Sequence, residues 1–306
     1  MKVFIDGSSG TTGLRLKDRL SARSDVTLLT IAEDKHRDPA ERQRLYDDAD
    51  VVFFCLPDDA AREAAALVDP ARTVVIDTST AHRTDPDWVY GMPELAGQRE
   101  KLQAAKRIAN PGCHATGFIS LIAPLVSAGL IRKDARLSCF SLTGYSGGGK
   151  KMIAEYEAPD RDPLYQAPRQ YGLGQTHKHL PEMAKVCGLD HAPVFCPIVA
   201  PYYAGMEVTV PLTPAESSAS LEEIKAIYRD YYQSGLIRFT EGSDESGLLS
   251  AGAFAGRDDL EVSVYGNEER ILLVSRFDNL GKGASGAAIQ NMNIVLGLDE
   301  TEGLVH

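Results

Sequence analysis

The chain has 306 residues, enough for two domains of roughly 150 residues each. Its 43% apolar and 25% charged content is that of a globular protein, which excludes a disordered tail, a fibre and a disulfide-stapled miniprotein. A formal charge of −11 repels polyphosphate chains and anionic bilayers, so neither nucleic acid nor a membrane is an expected partner, whereas a small anion held at a helix N-terminus is compatible with it. Cys55, Cys113, Cys139, Cys187 and Cys196 are odd in number and contain no Cys-x-x-Cys pair. Neither a disulfide framework nor a metal site is therefore expected, and a reducing, cytoplasmic compartment is. The opening residues lack the pattern of a signal peptide, and no run approaches the roughly 18 apolar residues of a membrane span.

From the N-terminus, short apolar runs at 2–6, 26–31, 50–56, 73–77 and 107–110 read as strands, while 11–20, 40–47, 59–68 and 97–105 carry apolar residues at helical spacing. Near-continuous runs such as VVFFCL suit strands covered on both faces, and the alternation predicts a Rossmann-like, doubly wound parallel sheet. Residues 118–126 are again helical. Beyond residue 135, strands at 136–143, 194–199, 206–210, 260–265 and 270–276 outnumber the one clear amphipathic helix at 221–233. That texture predicts an α+β domain with a mainly antiparallel sheet. A last helix, 286–296, is closed by Gly297 and is expected to pack back on the first domain. The expected division is 1–115 with 278–306 as a dinucleotide-binding domain, and 116–277 as a catalytic and oligomerisation domain.

The first strand runs into Gly7-Ser8-Ser9-Gly10-Thr11-Thr12-Gly13 at the start of a helix. Glycines there permit a tight turn and close approach of a pyrophosphate, with the uncapped N–H groups of the helix facing the anion. Selection between NAD and NADP falls at the end of the second strand. Glu33 or Asp34 there would favour a ribose hydroxyl, and Lys35 or Arg37 a 2′-phosphate; the expectation is NADP, with Arg37 as the contact.

Asn110-Pro111-Gly112-Cys113-His114-Ala115-Thr116-Gly117 joins a strand to a helix. Pro and Gly break the chain just before Cys113, which sets its sulfur at a helix N-terminus, where the dipole and unpaired N–H groups favour thiolate and can hold an oxyanion. Cys55 and Cys139 lie in apolar strands and read as small buried hydrophobes. A thiol nucleophile needs a base, and His177 and His179 share one face if their segment is extended, with Glu182 placed to orient one of them. His36, His82, His191 and His306 read as surface residues, and His114 as structural. A second glycine-rich stretch, 141–151, ends in Lys150 and Lys151, cations suited to a carboxylate or phosphate. Asn110, Ser146, Gly147 and Lys150 are the candidate substrate-binding residues.

Together these segments resemble the aldehyde-forming acyl-phosphate reductases of the semialdehyde dehydrogenase superfamily, and within it the shorter type of the N-acetyl-γ-glutamyl-phosphate reductases. The likeness covers nearly the whole chain: GSSGTTG, ANPGCHATG, HKHLPEM, DNLGKGASGAAIQNMN (278–293), TSTAHR (78–83), YGMPEL (90–95) and APYYAGMEV (200–208). Position 114 departs from it, being His where Tyr or Phe is usual, and Ala204-Gly205-Met206 replaces the Arg-Gly-Ile of the longer type. The resemblance implies attack of Cys113 on an acyl phosphate, a thioester, and hydride delivery from NADPH, with His177 or His179 as acid/base. It also implies cofactor contacts at Cys55, Leu56, Pro57, Ser79, Asn279, Gly281 and Lys282, a place in arginine biosynthesis, a small-molecule substrate with phosphate as co-product, and a homodimer or homotetramer. Reduction of an aspartyl or aminoadipyl phosphate would use the same chemistry. A non-catalytic NADP-binding regulator would need neither the Pro-Gly-Cys turn nor the paired histidines.

Overall fold

The computed structural model describes residues 1–35 and 38–306. They form two compact units, Met1–Pro111 with Ala284–Leu304, and Gly112–Gly283 with Val305–His306. The boundaries differ from those expected at 115 and 278. Cys113 already opens a helix that packs on the second sheet, and residues 278–283 continue from that sheet's strands, so both segments belong to the second unit.

In the first unit β1 (Lys2–Asp6), α1 (Thr11–Ser21), β2 (Thr27–Leu29), α2 (Pro39–Asp48), β3 (Val51–Phe54), α3 (Asp58–Leu67), β4 (Val74–Asp77), β5 (Val89–Tyr90), α4 (Gln98–Gln103) and β6 (Arg107–Ala109) follow one another. The strands make a six-stranded sheet in the order β2-β1-β3-β4-β6-β5, parallel throughout. β3 is buried along its whole length, as a strand covered on both faces must be. Alternate residues feed two cores. Val3, Ile5, Val51, Phe53 and Ile76 meet Leu16 and Leu20 of α1 on one face, and Phe4, Val52, Phe54 and Val75 meet Leu45, Tyr46 and Ala64 of α2 and α3 on the other. α2 starts where Asp38 accepts from the N–H groups of Ala40 and Glu41, with Pro39 in the first turn. The two-residue strand β5 carries too little apolar sequence to have been expected.

The second unit contains α5 (Cys113–Ser127), β7 (Ser138–Gly144), α6 (Gly149–Glu157), β8 (Arg169–Gln170), α7 (Leu180–Cys187), β9 (Val194–Ala200), β10 (Met206–Leu212), α8 (Leu221–Tyr231), β11 (Ile237–Phe239), β12 (Leu260–Asn267) and β13 (Arg270–Phe277). Its seven-stranded sheet runs β11-β12-β13-β10-β7-β9-β8. The sheet is mixed: β7 pairs with β9, and β11 with β12, in parallel, and the other pairings are antiparallel. α5 lies across one face, where Ser275 of β13 donates to the Gly117 carbonyl at 3.2 Å. α5 is apolar on nearly every side because α8 covers it in turn, with Tyr228 and Tyr232 donating to the Leu121 and Ser120 carbonyls. α8 itself begins with a capping box between Ser220 and Glu223. The sheet's other face leaves Phe140, Val194 and Leu272 exposed.

The chain then returns to the first unit as α9 (Gly286–Val295), whose Ala288, Ile289 and Met292 complete the core beside α1. Arg23 fixes this return by donating to Asn293 at 2.7 Å and to the Glu302 carbonyl at 3.2 Å. No helix among the described residues is long and apolar enough to cross a membrane. Met292 is fully buried, so Met292→Ala should lower the unfolding free energy by about 2–5 kcal/mol, measured as a shift of the urea midpoint; an unchanged midpoint would show that α9 is not part of that core.

Candidate active site

The glycine turn of the first unit is shaped by contact with the next strand. Gly7 has φ +86°, and a Cβ there would lie 2.3 Å from the Cys55 carbonyl oxygen; one at Gly13 would lie 2.5 Å from that of Gly7. Gly10 is the N-cap of α1, and no side chain caps the helix, so its first N–H groups remain for a ligand. Thr11 adds a buried Oγ1 without a hydrogen-bond partner among the described residues. These features fit the pyrophosphate of a dinucleotide. Ser9 is exposed and Thr12 half-buried on the same turn.

The neighbouring strand ends are less open. Burial pushes the Cys55 thiol up to about 12, which suits an inert thiol just past the end of β3. Leu56 and Pro57 lead into α3, with Pro57 as its N-cap. Ser79 is engaged by Asp77, to which its N–H and hydroxyl donate at 2.9 and 2.7 Å. His82, read from the sequence as a surface residue, is buried: its Nδ1 lies 2.7 Å from the same carboxylate and its ring stacks on Trp88 at 4.0 Å. Polar neighbours in sequence concealed a histidine whose partners sit on other elements. Arg83, given no role from the sequence, donates to the carbonyls of Asn110 and Thr78, each at 3.0 Å. Asn110, expected at the substrate, has its amide engaged inside the first unit, donating to the Ala284 carbonyl at 3.0 Å and accepting from Asn291 at 3.1 Å. Asp34 and Lys35 are exposed, and Arg37 lies outside the described residues.

The second unit opens on Cys113, half-buried at the first position of α5 with Gly112 as N-cap in extended conformation. The Gly112 N–H donates to Glu182 Oε1 at 2.8 Å, which ties the turn before Cys113 to α7. His179 is the N-cap of α7 in helical conformation, and its N–H donates to His177 Nδ1 at 3.3 Å. The two histidines therefore converge through a turn and not by the alternation of an extended segment, their rings 4.8 Å apart and near-perpendicular. The His114 ring packs 5.7 Å from His177, 5.5 Å from His179 and 5.3 Å from Phe195. Burial and the adjacent Lys178 hold His177 below the usual imidazole range. The Cys113 turn and both imidazoles thus belong to one cluster, while burial pushes the thiols of Cys139 and Cys187 well up.

The second glycine-rich stretch is ordered as a short helical turn at Tyr145–Gly148 and the start of α6. Asn279 pins it, donating to Ser146 Oγ at 3.0 Å and accepting from the Gly205 N–H at 2.9 Å. Gly147 and Lys150 are exposed, whereas Gly281 and Lys282 are buried. Tyr171, which also touches His114, lies in no motif and carried no signal in the sequence; Ser141, which touches it too, opens the glycine-rich stretch 141–151 but falls within β7, and nothing in that stretch pointed to an imidazole.

Comparison with known proteins identifies the family. Residues 2–105 match the semialdehyde dehydrogenase NAD binding domain and residues 113–279 the semialdehyde dehydrogenase dimerisation domain. The chain is 42% identical to N-acetyl-gamma-glutamyl-phosphate reductase 2 of Nostoc sp., covering 99% of each chain, and 44% identical to N-acetyl-gamma-glutamyl-phosphate reductase of Brucella ovis, covering 97% of this chain and 99% of that one. Among solved structures it shares the fold of aspartate semialdehyde dehydrogenase II from Vibrio cholerae, with a TM-score of 0.74 at 18% identity over 97% of this chain and 98% of that one. The enzyme from Candida albicans, solved with NADP, superposes with a TM-score of 0.68 at 17% identity over 96% and 98%. With its nucleotide turn, its cysteine at a helix head and this extent of identity, the chain belongs to the semialdehyde dehydrogenase family, on the branch of the N-acetyl-gamma-glutamyl-phosphate reductases.

Proposed function

We propose that the protein catalyses NADP-dependent reductive dephosphorylation of N-acetyl-L-glutamyl 5-phosphate to N-acetyl-L-glutamate 5-semialdehyde, a step of arginine biosynthesis, through a thioester on Cys113. The observation that carries this reading is the half-buried Cys113 at the head of α5, whose sequence neighbour His114 packs against both His177 and His179, in a chain 42% and 44% identical to reductases of that name.

The helix N-terminus favours the thiolate of Cys113. Its sulfur attacks the acyl carbon, the carbon–oxygen bond to phosphate breaks, and inorganic phosphate leaves with the bonding pair. The thioester left on the sulfur is far more electrophilic than a carboxylate. When bound, NADPH supplies the hydride that reduces the thioester carbon. His177 or His179 protonates the oxygen of the resulting thiohemiacetal and takes the proton back as the carbon–sulfur bond breaks and the aldehyde departs. Glu182 holds the turn that carries the sulfur.

Gly7, Ser9, Gly10, Thr11, Thr12 and Gly13 are assigned to the dinucleotide's phosphates, with Cys55, Leu56, Pro57 and Ser79 along the same strand ends, Arg37 at the 2′-phosphate, and Asn279, Gly281 and Lys282 toward the nicotinamide. Ser146, Gly147 and Lys150 are assigned to the substrate, with Asn110 acting through the strand end it fixes. A cytoplasmic setting suits a catalytic thiol in a chain whose cysteines form no disulfide. The exposed face of the second sheet, with Phe140, Val194 and Leu272, is assigned to pairing with further copies of the chain.

The reverse reaction tests the assignment. Given N-acetylglutamate semialdehyde and phosphate, the protein should reduce NADP, and Cys113→Ser should lower kcat by at least about 10³-fold; full turnover by that variant would remove the covalent mechanism. Preference for NADP over NAD should be at least about tenfold in kcat/KM, equivalent to ~1.4 kcal/mol, and the opposite preference would overturn the cofactor assignment. Phe140→Asp should shift the mass measured by light scattering toward the monomer; an unchanged mass would place the contact elsewhere.

A further inference from the structure

His114 follows Cys113 directly on α5, and its ring is buried between two hydroxyls. Nδ1 lies 2.6 Å from Ser141 Oγ on β7, and Nε2 lies 2.7 Å from the Tyr171 hydroxyl just beyond β8. Burial, with a smaller contribution from His177, pushes the His114 pKa down to about 3. The ring is therefore neutral at physiological pH, with one N–H to donate and one lone pair to accept.

Which nitrogen carries the proton follows from Ser141. Its side chain is fully buried, and His114 is the partner its hydroxyl has among the described residues. Were Nδ1 protonated and donating, the serine proton would be left without an acceptor among the described residues at a fully buried hydroxyl, a state that native structures avoid. Ser141 therefore donates to Nδ1, and Nε2–H donates to the Tyr171 oxygen. The phenolic proton is then left to point away from the imidazole. Tyr171 otherwise meets ring edges, His114 at a centroid distance of 6.1 Å and His177 at 5.9 Å, and neither contact offers an acceptor oxygen. Burial, and after it the negative charge of the neighbouring Cys113, hold the phenol well above the ordinary tyrosine range, so it stays protonated and acts as a donor.

We propose that Tyr171 is a further member of the catalytic centre, its O–H oriented by a one-way Ser141–His114 relay so that it donates toward the thiolate of Cys113. This rests on the reading of Cys113 as nucleophile and adds the group that receives its charge. The other titratable groups of the centre are His177 and His179 on the turn before α7, the exposed Lys178 between them, and Glu182 on α7, whose Oε1 is occupied by the Gly112 N–H. Asp278, beyond β13, is turned to the N–H groups of Gly256 and Leu280.

The test reads the sulfur directly. Cys113 is alkylated with iodoacetamide across a pH series in the substrate-free protein, and the modified peptide is quantified by mass. In Tyr171→Phe the midpoint should move to higher pH, and kcat of the reverse reaction should fall by about 10²-fold with KM nearly unchanged. Ser141→Ala, which releases the tautomer, should move both in the same direction by less. His114→Phe should behave as Tyr171→Phe, and His114→Gln, which keeps a donor and an acceptor, should recover part of the loss. A Tyr171→Phe midpoint equal to that of the parent would overturn the proposal even if kcat fell, because a structural role predicts that pattern. Should Tyr171→Phe fail to fold, the His114→Phe and His114→Gln pair decides by the same midpoints. Alkylation needs no substrate, so a wrong substrate assignment would leave this result standing.

Discussion

The sulfur proposed as nucleophile has to be stabilised as an anion, reachable by a substrate and held in one place, and the head of α5 suits these demands with a single local device. Gly112 in extended conformation turns the chain so that Cys113 is the first helical residue, at the end of a helix where the N–H groups are not used by the helix's own ladder. The same turn is fixed from outside, because the one N–H that precedes the helix donates to the buried carboxylate of Glu182. The rest of the second unit serves this arrangement. α5 is gripped by the sheet on one side and by α8 on the other, so the helix cannot slide and carry the sulfur with it. An apolar environment around such a helix makes each polar contact at its head stronger than it would be in water.

Buried polar groups elsewhere in the chain also hold loops in place. Asp77 binds Ser79 and His82 and thereby folds the segment after β4 over Trp88. Asn279 joins the Gly205 turn to the glycine-rich stretch through Ser146. Asn110 ties the end of β6 to the start of the returning segment at Ala284. Asn279 and Asn110 come from motifs that read, in sequence, as ligand contacts, whereas Asp77 reads only as the end of a strand, and all three show their amide or carboxylate engaged with protein atoms. Precision at a site of this kind is obtained by fixing the supports of the reacting groups as well as the groups themselves.

The two units also differ in how their sequence encodes them. Runs such as VVFFC and VVID, with helices between them, specify a covered parallel sheet almost by themselves, since every strand needs apolar residues on both faces. In the second unit the alternation identifies the long strands, but not that β7 lies beside β9 in parallel, nor that short β8 and β11 close the edges. Strand neighbours are chosen by the packing of α5 and α8 against one face, and periodicity along a strand carries no record of which strand lies next to it.

What the residues determined locally was the glycine turn at the head of α1, the broken chain before Cys113 and the helical close of the chain, because turns, caps and periodicity are set by neighbours a few positions apart. Tertiary structure alone decided the company of His114. Ser141 stands 27 residues from it and Tyr171 57, on strands and loops whose sequences announce nothing about hydroxyls meeting an imidazole. It also decided that His82 is buried, and that His177 and His179 meet through a turn. Such contacts arise when distant segments are closed around a common core, and the energy that selects them is gained only once that core exists.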